Sequence, residues 1–242
     1  MFLRLDGGGK LSKTRWLLIL LSAISIGWIL YLIIFFPGTI PSDTSRQLAQ
    51  YFGTSEIPLD NHFPFFTSVL YASLYTFGAN ISGACGVFVL TLFQFIIGVL
   101  AFAVLLDFFM KYNTPRWLMF ASVTFIALFP IIPTYVVTIS KDYVHALCVM
   151  VFCILLLDIL ITSKKNDKIS SKQWGLLFLI SVLIVLTRNN GIIIVGFGLF
   201  GLMIALWKNT KVCLPILCAV IVFSIGWNAA LPLFGCAKRR SE

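Results

Sequence analysis

The chain has 242 residues, of which 60% are hydrophobic and 11% are charged, and its mean hydropathy is +0.99. These values exclude an ordinary soluble domain and predict an all-α, polytopic protein of the cell membrane. The net charge of +9 does not indicate nucleic-acid binding, because the basic residues lie in short clusters between apolar runs, where they act as topology signals.

Seven apolar runs are predicted as transmembrane helices within a membrane domain at residues 16–234. A bilayer core of about 30 Å needs roughly 20 helical residues. The first run, residues 16–36, follows a basic segment at 1–15, which predicts a cytoplasmic N-terminus. The remaining candidate spans and a short basic tail are 86–109, 117–135, 143–162, 173–187, 192–207, 212–234 and 235–242.

Residues 63–78 are apolar but too short for a full crossing, because the stretch between Pro64 and Gly78 reaches only about 21 Å as a helix. If this stretch crossed, nine basic residues would lie on each side of the membrane. If it lies in the interface or re-enters, twelve of the 18 are cytoplasmic: Arg4, Lys10, Lys13, Arg15, Lys111, Arg116, Lys164, Lys165, Lys168, Lys172, Lys208 and Lys211. We therefore predict an interfacial or re-entrant helix in an external loop at 37–85.

A short helix is predicted on the membrane surface at residues 44–52. Its apolar residues recur at helical spacing, with polar residues on the opposite side; the two sets are Leu48, Tyr51 and Phe52, and Arg46, Gln47 and Gln50. Asp43 precedes this helix and has two compatible interpretations. It, or Ser42, caps the helix, or its carboxylate acts as a general base or metal ligand at the membrane surface.

"DNHFP" brings Asp60 and His62 to the start of the helix at 63–78. One interpretation of His62 is a loop histidine that titrates freely in water. The alternatives are contact with an acceptor or a phosphate, and metal ligation. At this stage the residues do not decide between these interpretations.

"ISKDYVHA" begins the fourth predicted span, and Ser140 with Asp142 has the pattern of an ordinary helix start. Lys141 beside them is available to bind an anion. His145, one turn further along, is expected to hydrogen-bond to a neighbouring helix.

"LTRNNG" divides the apolar stretch 173–207, which is too long for one crossing, and therefore sets Arg188 at or slightly below the membrane surface. An arginine at that depth either snorkels or faces a polar site, where it can bind a lipid phosphate with two nitrogens. At the cytoplasmic ends of other helices, Asp107 and Asp158 lie beside Lys111 and Lys164, and local charge pairing explains them.

Together, "PGTIPSDTSRQ", "DNHFPFFTSVLYASLYTFG", "LFPIIPTYVVTISKD" and "TRNNG" resemble the multi-pass glycosyltransferases of the GT-C superfamily over roughly residues 16–207. The resemblance implies an enzyme that transfers a sugar from a polyprenyl-phosphate donor to a glycan, lipid or protein acceptor of the cell envelope. It also implies that Asp43 is the essential acid of the first external loop. Asp60 or His62 would be a second functional position, and the short helix at 63–78 would line the active site.

The residues fit this chemistry. Sugar transfer passes through an oxocarbenium-like state, which needs a base for the acceptor and cations for the departing phosphate. Asp43 supplies the base, and Arg188 and Lys141 supply the cations, with Asp142 at the same surface. A divalent cation held by Asp43 with Asp60 or His62 would share the second task; no organic cofactor is expected.

The rival class is a transporter or lipid flippase, or a non-enzymatic membrane subunit. Transporters place ionisable residues near the bilayer midplane and often contain repeats. Here the ionisable residues collect at one surface, which favours the enzyme. GT-C members usually have more spans and often a distal soluble domain, so a truncated, inactive chain is a further expectation.

Overall fold

The computed structural model describes residues 13–56, 58–60, 62–206 and 210–236, and the predicted basic segments 1–15 and 235–242 lie largely outside this part of the chain. The described residues are all-helical and contain no β-strand, which confirms the all-α prediction. The helices are α1 (Lys13–Ile34), α2 (Ser42–Tyr51), α3 (Phe65–Ala79), α4 (Gly83–Lys111), α5 (Arg116–Leu128), α6 (Ile131–Val137), α7 (Lys141–Lys164), α8 (Ser171–Thr187), α9 (Gly191–Ala205) and α10 (Thr210–Ala230), with a 3-10 turn at Leu231–Phe234.

Four helical segments of the described chain are long and apolar enough to cross a membrane: α1, α4, α7 and Leu214–Phe234, which joins most of α10 to the 3-10 turn. Helices α5 and α6 make a fifth span if they are taken together, and they are bent by 49° at the break between them. The predicted spans 173–187 and 192–207 correspond to the shorter apolar helices α8 and α9. These helices indicate a lipid bilayer as the environment of the protein.

Helices α1 and α4 run antiparallel. At one end, Lys13 Nζ lies 2.7 Å from Asp107 Oδ1. At the other, the Thr91 hydroxyl donates to the Pro37 carbonyl at 2.9 Å. We name these the Asp107 end and the Pro37 end of the bundle. The chain between α1 and α4, which contains α2 and α3, therefore leaves and returns at the Pro37 end.

Two distant backbone segments meet at the Pro37 end. Thr39 N–H donates to the Val137 carbonyl, and Ile139 N–H donates to the Thr39 carbonyl, both at 2.9 Å. This short parallel pairing fixes the loop after α1 against the turn between α6 and α7. It brings the starts of α2 and α7 together, because each helix begins within a few residues of the pairing.

The side chain of Gln94, in the middle of α4, forms hydrogen bonds with the backbone groups between α6 and α7. Its side chain is fully buried, at 0% exposure. Its Nε2 donates to three carbonyls, those of Tyr135, Val136 and Thr138, at 3.3, 3.2 and 2.9 Å. Its Oε1 accepts from the Ser140 N–H at 2.9 Å and from the Tyr71 hydroxyl at 3.4 Å. Inside a bilayer no water is available to bond these backbone groups, so the Gln94 side chain serves as their hydrogen-bond partner.

The Asp107 end is held by tertiary ion pairs rather than local ones. Asp107 pairs with Lys13 of α1, so its predicted pairing within α4 is wrong. Asp158 is buried, pairs with Lys111 of α4, and accepts from the Tyr112 hydroxyl at 2.8 Å and from Gln173 Nε2 at 2.7 Å. The cause is helix packing. Because α1 lies against α4, and α7 lies against α4 and α8, each carboxylate has a partner on another helix that is closer than the lysine of its own helix.

Gln94→Leu should lower the free energy of unfolding by about 3–5 kcal/mol, because it leaves buried backbone groups without partners. Thermal unfolding of the detergent-solubilised protein measures this. Leu92→Ala, at a partly exposed position of the same helix, is the matched control and should cost less. Equal unfolding temperatures for Gln94→Leu and the unmodified protein would refute the role of this side chain.

Candidate functional site

Helix α2 lies on the bundle with its polar face inward. Gln47 is only 1% exposed, and its Nε2 donates to Thr67 Oγ1 at 2.9 Å and to Ser68 Oγ at 3.0 Å. Gln50 is buried as well, whereas Tyr51 is exposed. The predicted division into an apolar and a polar side does not match the buried face, because Leu48 is buried together with the two glutamines. Two hydroxyls in the first turn of α3 accept hydrogen bonds from the Gln47 amide, whereas the aromatic face of α2 points away from the bundle.

Asp43 lies in the first turn of α2 but does not cap it. The N-cap residue is Pro41, and no side chain makes a cap hydrogen bond. The interpretation that Asp43 or Ser42 caps the helix is therefore wrong. The Asp43 side chain is 64% exposed, with Oδ2 3.9 Å from Lys141 Nζ. Its carboxylate is thus open on one side and faces a cation on the other.

Lys141 is the first residue of α7, and Ser140 caps that helix as predicted, accepting from the Asp142 N–H at 3.1 Å. The Lys141 side chain is only 15% exposed. Its Nζ lies 4.5 Å from the centre of the Phe63 ring, at the distance of a cation–π contact. A buried aromatic face and one carboxylate at 3.9 Å therefore hold this ammonium group.

Asp60 and His62 form a turn next to Phe63. The His62 N–H donates to Asp60 Oδ1 at 3.1 Å, and the exposed His62 ring packs edge-on against Phe63 with 4.8 Å between ring centres. The structure thus connects His62 to Lys141 through Phe63. Sequence reasoning missed Phe63, since an aromatic residue at the start of an apolar helix carries no special signal.

Arg188 follows the last residue of α8 and reaches α7. Its Nη1 lies 3.4 Å from Asp142 Oδ1, an atom that is buried and has no hydrogen-bond partner among the described residues. One turn further into α7, His145 Nδ1 lies 3.0 Å from Thr187 Oγ1 of α8. The prediction that His145 bonds to a neighbouring helix is confirmed.

Tyr71 is a further residue that the sequence did not indicate. Burial, and secondarily the Asp142 carboxylate, raise the pKa of its hydroxyl. The neutral hydroxyl donates to Gln94 Oε1 at 3.4 Å. The network that holds the α6–α7 turn therefore extends into α3, and Asp142 acts on it electrostatically.

The ion pairs at the two ends of the bundle differ in geometry. At the Asp107 end the carboxylates are in direct contact with their lysines. At the Pro37 end the two pairs are 3.9 and 3.4 Å long, beyond the 2.7–2.9 Å typical of charge-assisted hydrogen bonds. The site at the Pro37 end thus contains two cations and two carboxylates that do not fully satisfy one another.

No three His, Cys, Asp or Glu side chains converge as a possible metal site within the described part of the chain. Asp43 faces Lys141, and Asp60 bonds to the backbone of His62. The divalent cation predicted at Asp43 with Asp60 or His62 stays a prediction.

An apolar cavity of about 420 Å³ lies between α4 and the α5–α6 pair. Its lining contains one hydroxyl, that of Ser122, which donates to the Leu118 carbonyl at 2.8 Å. None of the charged residues at the Pro37 end lines this cavity. The cavity and the ion pairs are separate features.

Residues 53–232 match the "Family of unknown function (DUF6020)". The matched range begins after α2 and includes Asp60, His62, Lys141 and Arg188. No curated protein and no solved structure matches the chain. Because the match covers more than half of its residues, the protein belongs to the DUF6020 family.

Proposed function

We propose that this protein is a membrane glycosyltransferase of the GT-C type, which moves a sugar from a polyprenyl-phosphate donor to an acceptor at the extracytoplasmic face. The observation that carries the proposal is the group of loosely held charges at the Pro37 end. There an exposed carboxylate, Asp43, lies 3.9 Å from the ammonium group of Lys141. Arg188 adds a second cation, paired with Asp142, the residue after Lys141.

The proposal includes seven spans, a cytoplasmic N-terminus and an α3 that does not cross. The antiparallel pairing of α1 and α4 supports it, since α2 and α3 begin and end at the Pro37 end. From Asp158 to Lys141 along α7 is roughly 25 Å at 1.5 Å per residue. With a hydrocarbon core of about 30 Å, Lys141 lies near the depth of the lipid headgroups of the outer leaflet.

In the proposed reaction, Asp43 takes the proton of an acceptor hydroxyl. The acceptor oxygen forms a bond to the anomeric carbon of the sugar as the bond from that carbon to the phosphate oxygen breaks. The products are the glycosylated acceptor and a polyprenyl phosphate. The exposure of Asp43 supports this role, because an acceptor can approach the carboxylate from outside.

The departing phosphate gains negative charge, which Lys141 and Arg188 stabilise. Both cations already face carboxylates at more than 3 Å, so a phosphate oxygen can replace a weak partner with a direct hydrogen bond. Phe63 limits the movement of the ammonium group. A divalent cation held by Asp43 with Asp60 or His62 would share this stabilisation; no step of the proposal depends on it.

Single-cysteine labelling tests the topology. Cysteines introduced at positions 43 and 188 should react with an impermeant maleimide from the extracytoplasmic side, whereas a cysteine at 167, in the loop between α7 and α8, should react from the cytoplasmic side. Labelling of 43 and 188 from opposite sides would eliminate the proposed reaction centre.

Asp43→Asn should lower the rate of sugar transfer by about 10²–10⁴-fold, because it removes the base without changing the size of the side chain. Transfer from labelled polyprenyl-phosphate hexoses in isolated membranes measures this. Asp167→Asn, an exposed carboxylate in the α7–α8 loop, should keep full activity. Full activity of the Asp43 variant would exclude it as the base.

Lys141→Gln and Arg188→Gln should each weaken the binding of polyprenyl phosphate about tenfold, because each removes a charge-assisted contact with the phosphate. Binding to the purified protein in detergent measures the effect. Lys172→Gln, in the first turn of α8 away from the Pro37 end, is the control. Unchanged affinity in both site variants would contradict the phosphate site.

A further inference from the structure

We infer that Gln47 and Gln50 of α2 recognise the sugar of the donor through hydrogen bonds from its hydroxyl groups to their side-chain carbonyl oxygens. This inference rests on the proposed function, since it assigns the sugar to the face of α2 that also carries Asp43. It gives a ligand-binding role to two glutamines of the predicted polar side of this helix.

Both carbonyl oxygens are buried without a partner. Gln47 is 1% exposed and Gln50 is 7% exposed. Gln47 Oε1 and Gln50 Oε1 accept no hydrogen bond from any described residue. A buried polar atom without a partner is destabilising and uncommon, so two on one face of a ten-residue helix point to a ligand that completes them.

The hydrogen-bond network fixes the orientation of the Gln47 amide. The hydroxyls of Thr67 and Ser68 each donate to the Pro64 carbonyl, at 2.8 and 3.3 Å. A hydroxyl has one proton, so neither can also donate to Gln47. The amide nitrogen must therefore face these hydroxyls, as it does at 2.9 and 3.0 Å, and the oxygen must point elsewhere.

Gln94 shows what a purely structural glutamine looks like in this protein. It is equally buried, and both ends of its amide are bonded, the nitrogen to carbonyls and the oxygen to donors. Gln47 has only its nitrogen bonded. The two amides thus differ in their carbonyl oxygens: that of Gln94 accepts two hydrogen bonds, whereas that of Gln47 accepts none from the described residues and is available to a donor from a ligand.

Asp43, Gln47 and Gln50 have the spacing i, i+4, i+7 and lie on one face of α2. The face is roughly 10 Å long at 1.5 Å per residue, enough for a sugar ring and the hydroxyl that attacks it. Lys141, 3.9 Å from Asp43 at the start of this face, disfavours a bound cation, so a neutral polyhydroxyl group fits these acceptors better.

Binding of two kinds of lipid to the full, detergent-purified chain tests the inference. The probes are polyprenyl monophosphate and a panel of its monohexosyl and monopentosyl esters. The unmodified protein should bind at least one ester more tightly than the bare lipid. Gln47→Met and Gln50→Met should each reduce that preference about fivefold to tenfold, with bare-lipid affinity retained. Gln173→Met, at the Asp107 end, should keep the preference.

The outcomes separate the inference from the function on which it rests. If Gln50→Met and a folded Gln47→Met keep the full preference, the inference is wrong and the phosphate site stands. If the unmodified protein shows no preference, the inference is also wrong. If Lys141→Gln and Arg188→Gln in addition leave bare-lipid affinity unchanged, the proposed function fails with it. Gln50 makes no bond to Thr67 or Ser68 among the described residues, so its variant stays informative if Gln47→Met does not fold.

Discussion

The architecture depends on one constraint: inside a lipid environment every backbone N–H and C=O needs a partner within the protein. The chain breaks helical geometry between α6 and α7, and the amide of Gln94 supplies the missing partners there. Because Gln94 stabilises the turn between α6 and α7, the loop after α1 can pair with residues 137–139. The start of α2 and the start of α7 then lie side by side, and the charged site exists because of that contact.

The two ends of the bundle use the same residue types for different purposes. At the Asp107 end, buried Asp158 is surrounded by three donors, Lys111, Tyr112 and Gln173, and such a saturated network contributes rigidity. At the Pro37 end, the charges are more exposed and their pairs are longer. Under the proposed function, longer pairs suit a site that exchanges one anionic partner for another, whereas short, saturated pairs suit a joint between helices.

Much of this arrangement was predictable from hydropathy. Each predicted span contains a helix, with a break between α5 and α6 in 117–135, and Ser140 and His145 have their expected partners. What the sequence could not reveal are contacts between distant segments. The orientation of α2 depends on hydroxyls of α3 that lie about twenty positions away, so periodicity within α2 alone could not show which face packs on the bundle. Likewise Lys13 and Asp107 are distant in the chain, and local spacing cannot predict such a pair. The spacing of Asp43, Gln47 and Gln50 was readable, but its meaning required knowing that the glutamines are buried.

The bond from Thr44 to the carbonyl of Ile139 joins residues 95 positions apart. A ribosome therefore completes α2 long before its acceptor has been made, while the partners of Gln47 follow within about twenty residues. During biosynthesis α2, α3 and α4 can associate early, and α7 and Arg188 must then be added to an already inserted unit. The charged site at the Pro37 end is consequently the last part of this region to form, so any factor that delays insertion of α7 and α8 delays that site without preventing the early helices from folding.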